Sequence, residues 1–177
     1  FPGACLDWFS VQRWVTMNAE GQAVAFSPVD TPLVTFCQMT PGNWLESLPI
    51  TNGTVFAYTM NNYWFTNYKA GQDGNFEFRY SLTSDKGIDP AAAAVFGERV
   101  HAPLRAVCTV PAKRKGAKLP ASASLCAAQP ANVTVTAVKP ADDGRGIIVR
   151  LRETAGRDTE STLVIGWSGL GKATRCD

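Results

Sequence analysis

Residues 75–82, Asn-Phe-Glu-Phe-Arg-Tyr-Ser-Leu, alternate strictly between the two faces of an extended chain. Phe76, Phe78, Tyr80 and Leu82 point one way and Glu77, Arg79 and Ser81 the other, as a half-buried β-strand requires. Period two recurs elsewhere. Strands are predicted over 23–26, 33–39, 55–60, near 104–110, and over 133–138, 147–153 and 161–165. Between them stand turn-forming groups: Asn52-Gly53, Gly71-Gln72-Asp73-Gly74, Asp142-Asp143-Gly144 and Ala155-Gly156-Arg157-Asp158. One short helix fits. Asp89 can cap it, Pro90 suits its first position, and the good helix formers of 91–95 carry it to about Gly97. The pattern predicts antiparallel β structure with sheets packed face to face.

A chain of 177 residues with 45% hydrophobic and 18% charged residues can build a real core. The composition shifts at Pro111, where Lys113-Arg114-Lys115 and Lys118 sit among Ala, Gly and Pro. This divides the chain into a larger β-sandwich domain over 1–110, a Pro/Ala/Lys-rich linker or loop over 111–130, and a small C-terminal β subdomain over 131–177 that is expected to be truncated. The start at Phe1 and the unterminated end at Cys176-Asp177 both read as cuts. With a net charge of +2 and its one basic cluster in a solvated linker, the chain lacks the stripe a nucleic-acid partner would need. No apolar run reaches the ~20 residues that span a bilayer, so no membrane partner is expected either. The five cysteines (Cys5, Cys37, Cys108, Cys126 and Cys176) are odd in number and lack C-x-x-C spacing. Cys37 and Cys108 lie in apolar runs and are expected as buried free thiols. Asn52-Gly-Thr54 and Asn132-Val-Thr134 are sequons, relevant only in a secretory eukaryotic host.

The catalytic inventory is thin. His101 is the single histidine, so a multi-histidine zinc site cannot form, and a structural or solvent-facing role is expected for it. The acidic pairs Asp85/Asp89 and Asp142/Asp143 stand in turn contexts that explain them as capping and bend residues. The glycines of Gly166-Trp-Ser-Gly-Leu-Gly171 have no helix after them to receive a phosphate. One segment remains. Residues 61–69, Asn-Asn-Tyr-Trp-Phe-Thr-Asn-Tyr-Lys, mix rings with amides. Flat apolar faces beside two-way hydrogen-bonding groups suit a polyhydroxylated ligand, which shows C–H faces and hydroxyls together. The competing reading is a strand end and turn, with the rings in the core and the asparagines in the bend.

The run 52–68, with Gln72-x-Gly74 and Phe78-Arg79-Tyr80-Ser81-Leu82-Thr83, resembles the C-terminal β region of glycoside hydrolase family 38, the α-mannosidases. Trp8-Phe9-Ser10-Val11-Gln12-Arg13-Trp14-Val15 and Ser27-Pro28-x-Asp30-Thr31-Pro32-Leu33-Val34 are similar to the same region, as is the stretch from 135–140 through 148–156. The resemblance implies an all-β, antiparallel, supersandwich-like fold followed by a small β-sheet subdomain, with one short helix. It implies a retaining, zinc-dependent α-mannosidase whose nucleophile and zinc ligands lie in an N-terminal barrel, followed by a helical bundle. None of the barrel motifs occurs in this sequence. No catalytic residue and no metal ligand is therefore assigned, the fragment alone is expected to be inactive, and zinc is expected in the missing catalytic domain. The implied partners are a mannoside and the catalytic and helical domains of the same protein. Substrate contacts are assigned to Asn61, Asn62, Trp64 and Asn67 at the rim of the substrate pocket. The alternatives are an autonomous carbohydrate-binding module and a purely structural β-sandwich.

Overall fold

The computed structural model of the chain describes residues 3–39, 42–61, 71–108, 120–166, 169 and 171–176. It is an all-β structure in which every pair of strands is antiparallel, with a single helix among the described residues, as the sequence pattern predicts. Two compact units divide it, Phe1–Leu104 and Arg105–Asp177.

Among its described residues, unit 1 holds six strands and the helix. One sheet has the order β1 (Phe9–Ser10), β4 (Leu33–Phe36), β5 (Val55–Ala57), and the other has β2 (Val15–Ala19), β3 (Gln22–Pro28), β6 (Tyr80–Asp85). Helix α1 spans Pro90–His101. Alternation along β3 separates a face of Ala23, Ala25 and Ser27, all buried, from a face carrying half-buried Val24 and Phe26. Helix α1 packs against β3 and β2, and its own buried residues are equally small: Ala93, Ala94 and Gly97. A Cβ at Gly97 would lie 3.0 Å from Arg13 Cβ and from Trp14 Cε3 and 3.1 Å from the Arg13 carbonyl oxygen. Small residues therefore set the approach of helix to sheet.

The helix starts where the sequence places it. Asp89 Oδ1 accepts from the Ala92 N–H at 2.9 Å, and Pro90 occupies the first turn. It runs past Gly97 to His101, because that glycine is a packing position inside the helix and not its stop.

The strand predicted over 75–82 is shifted to Tyr80–Asp85. Its partner decides this. β3 pairs Pro28 with Tyr80 and Ala23 with Asp85, and beyond Pro28 the ladder gives way to the Val29 N–H to Arg79 carbonyl bond at 3.0 Å and to the Asp30 carboxylate, which takes the Arg79 N–H at 2.8 Å. Alternation persists in residues 76–78, where the Phe76 and Phe78 rings lie 6.5 Å apart and nearly parallel, but without a ladder partner they form no strand. Likewise residues 104–108 carry no strand, and Cys108 is exposed and not a buried thiol.

Among its described residues, unit 2 contains two antiparallel pairs. β7 (Cys126–Gln129), inside the 111–130 stretch, pairs with β10 (Thr162–Ile165), and β8 (Val133–Pro140) pairs with β9 (Ile147–Glu153). A bulge between Val135 and Ala137 inserts one residue, so Val133 and Val135 share a face with Val138 despite the broken alternation. Opposite them on β9 lie Leu151 and Val149. Among the described residues of this unit, only Asn132 and Val133 are buried.

Candidate functional site

Of the four residues assigned to substrate from sequence, Asn61 is described and exposed, and its carbonyl accepts from Gln72 Nε2 at 3.2 Å. Asn62, Trp64 and Asn67 lie outside the described residues. The ring-and-amide surface of 61–69 is therefore represented by its first member alone.

Unit 1 instead presents a cleft of about 780 Å³ over the β2–β3 hairpin. Phe9 and Phe36, from neighbouring strands and with rings 5.4 Å apart, form one side. Val15, Met17 and Val24 contribute from the hairpin, and residues 50–54 close another side. No side chain that lines it is charged; its polar groups are the amides of Asn18, Gln22 and Asn52 and threonine hydroxyls.

The wall at 51–54 is held by an unusual piece of backbone. β4 was predicted to run to Met39, but it ends at Phe36, because Cys37 adopts φ +63° and the Gln38 N–H turns back onto the Phe36 carbonyl at 2.7 Å. This is a γ-turn in the left-handed region, which L-residues other than glycine rarely enter. Three bonds tie Cys37 to the wall. Its N–H donates to the Thr54 carbonyl at 2.9 Å, its thiol donates to the Asn52 carbonyl at 3.3 Å, and its sulfur accepts from the Thr51 N–H at 3.2 Å. Backbone hydrogen bonding at Asn52 outweighs partial burial and, with Thr51, holds the thiol below its ordinary pKa. Cys37 is half-buried, so it too departs from the buried thiol predicted for it. Asn52 Oδ1 accepts from the Thr54 N–H at 2.9 Å, and Asn18 Oδ1 accepts from the Ile88 N–H at 3.3 Å. Both side-chain oxygens are thus committed to the backbone, and the NH2 ends are the donors left for a ligand.

Sequence reasoning missed this cleft, although its signals were present. Val15-Thr-Met-Asn-Ala19 alternates as a strand, and Asn52-Gly53 marks the turn that forms the wall.

Other titratable groups hold structure. His101 stands in the last turn of α1 with Nε2 buried and unpartnered. Burial, reinforced by the nearby Arg13 charge, lowers its pKa against the pull of Glu98 and Asp30. Asp30 receives the Arg79 N–H, Nε and Nη2 at 2.8, 3.0 and 2.8 Å, which lowers its pKa to about 2. In unit 2, Asn132 Nδ2 donates to Glu153 Oε1 at 2.6 Å and to Thr159 Oγ1 at 2.9 Å. Glu153 also accepts the N–H groups of Ala155, Gly156 and Arg157. Asn132 first and those N–H groups next bring its pKa to about 2 against desolvation. Asp89 caps a helix, Asp85 and Asp143 accept from nearby backbone N–H groups, and Asp142 pairs with Lys139. Among the described residues no three His, Cys, Asp or Glu side chains gather as metal ligands.

No curated protein and no solved structure is detectably similar to the chain. A family comparison does find a match, in unit 2, where the β8–β9 pair, the Asn132–Glu153 bond and β10 all fall within the matched stretch. Residues 132–177 match the model of the glycosyl hydrolases family 38 C-terminal beta sandwich domain.

Proposed function

We propose that the chain is the non-catalytic β region of a retaining, zinc-dependent α-mannosidase, folding with the catalytic part and supporting its active site. The match of residues 132–177 to the C-terminal β-sandwich domain of glycosyl hydrolase family 38 carries this reading. The all-β antiparallel structure and the structural duties of the acidic residues support it. In this reading the nucleophile and the zinc ion belong to a barrel elsewhere in the full-length enzyme, and an α-mannoside is the substrate.

Within it, Asn61, Asn62, Trp64 and Asn67 edge the substrate pocket, the amides addressing sugar hydroxyls and the Trp64 ring a C–H face. The test is steady-state kinetics of the full-length enzyme. Asn62→Ala and Trp64→Ala should each lower kcat/KM by an amount equivalent to about 1–3 kcal/mol. Unchanged kinetics with a lowered Tm would reassign these residues to core and turn.

A further inference from the structure

We propose that the cleft over the β2–β3 hairpin binds an uncharged polyhydroxylated ligand, a neutral sugar or polyol. None of its lining residues belongs to 61–67, and the proposal does not depend on the catalytic assignment.

Size comes first. A volume of about 780 Å³ falls in the range of small-molecule sites. Chemistry comes next. Phe9, Phe36 and Met17 supply apolar surface for C–H faces, while Asn18, Asn52 and Thr51 supply hydrogen-bonding groups. A charged ligand would lose hydration without meeting a counter-charge, since no lining side chain is ionisable. A wholly apolar ligand would cover the amides and leave their donors unpaired. The ligand that satisfies both conditions is neutral, has apolar faces and carries hydroxyl acceptors.

Preorganisation is the third observation. Cys37 holds a left-handed γ-turn, and its bonds to Thr51, Asn52 and Thr54 fix the wall before any ligand arrives. Strained backbone of this kind persists only where its surroundings over-determine it, and it gathers at ligand clamps. A wall already in place reduces the ordering cost of binding.

The test is titration of the full chain, followed by saturation-transfer NMR, with methyl α-mannoside, methyl α-glucoside, glucuronate and the apolar dye Nile red. Saturable binding of the neutral glycosides at about 1 mM or tighter is expected, with glucuronate at least about tenfold weaker. Asn52→Asp keeps the oxygen that accepts from the Thr54 N–H but removes the amide donor and adds a charge; it should weaken glycoside binding about tenfold. Met17→Trp should fill the cleft and abolish binding, with far-UV circular dichroism reporting whether it folds. Asp142→Asn, an exposed residue of unit 2 that does not line the cleft, should leave binding unchanged. Saturation by Nile red but not by the glycosides would overturn the proposal, as would equal affinity for glucuronate. So would sugar binding that disappears with Trp64→Ala and survives Asn52→Asp, an outcome that would leave the pocket-edge reading standing.

Discussion

In unit 1 a helix rests on a sheet face reduced to alanine and serine, whereas in unit 2 a two-stranded pair is pinned by an asparagine bonded to a glutamate. The first arrangement works through close approach. Ala23, Ala25, Ala93 and Ala94 are at most 2% exposed, and Gly97 has no room for a Cβ beside Arg13 and Trp14. The second has little apolar burial, with Val133 the single buried apolar side chain among its described residues. Its order comes from Asn132, which joins the start of β8 to Glu153 and Thr159, while Glu153 gathers the turn at 155–157. Small residues at a helix–sheet contact store stability in dispersion and are sensitive to added volume. A polar network stores it in satisfied groups and is sensitive to the loss of any one member.

That contrast breaks most visibly at Gly97. Gly97→Val places methyls where Arg13 and Trp14 already stand, and should lower the stability of unit 1 by about 2–3 kcal/mol in a urea titration. Amides of β3 and α1 should exchange faster. If the amides of β8 and β9 lost protection to the same degree, the division of labour between the units would be wrong. Asn132→Ala is the counterpart. It strips a nearly buried hydrogen-bonding side chain from Glu153 and Thr159 and should cost about 2 kcal/mol, read as faster exchange and proteolysis across 147–160. Glu153 should also titrate at higher pH in that variant, because its largest stabilising partner is gone.

Acid should separate the units by window. His101 has its folded pKa below 6.5, so the unfolded chain takes up the proton first. Its contribution is complete above pH 6.5 and is lost as the pH falls below that value, ending at the folded pKa. Glu153 falls from 4.5 to about 2, so its contribution is complete above pH 4.5 and is lost on the way down to 2. Probes on unit 1 should therefore weaken first during an acid titration, and His101→Gln should remove that early phase. Coincident loss at both probes in the wild-type chain would argue against the assignment.

Much of the fold was legible because local chemistry dictated it. Asp89-Pro90 opens a helix by satisfying an N–H and omitting another, and the structure starts the helix there. The strand over 147–153 was found to the residue, since apolar side chains and bounding turns agree. What was not legible depends on partners distant in sequence. The slide from 75–82 to Tyr80–Asp85 follows from where β3 ends at Pro28, which no window around Phe76 contains. Cys37 read as strand because its neighbours are apolar, yet hydrogen bonds from residues 51–54 hold it in a γ-turn. The cleft was hidden for the same reason: Phe9, Met17 and Asn52 meet only after three separate segments have paired. The 61–69 segment gave the sharpest signal in the sequence, and of its assigned residues only Asn61 is among those described.

The smallest effects should come from the ion pairs, and they sharpen the comparison by their inequality. Lys139 and Asp142 meet at 3.1 Å three residues apart, with the Asp142 side chain 91% exposed. Water and salt screen such a pair, and Asp142→Asn should change unit 2 by less than about 0.5 kcal/mol. Asp30 differs in accepting a backbone N–H as well as the Arg79 guanidinium, and its side chain is only 28% exposed. Asp30→Asn leaves one oxygen to serve what two served before, so it should lower the unit 1 midpoint measurably and more than Asp142→Asn lowers that of unit 2. Raising NaCl to about 1 M should cancel most of the Asp142 effect, because the Debye length there is near 3 Å. The part of the Asp30 effect that belongs to the Arg79 N–H should survive. Equal and fully salt-sensitive effects would show that the Asp30 carboxylate acts only as a surface charge, and that packing alone carries unit 1.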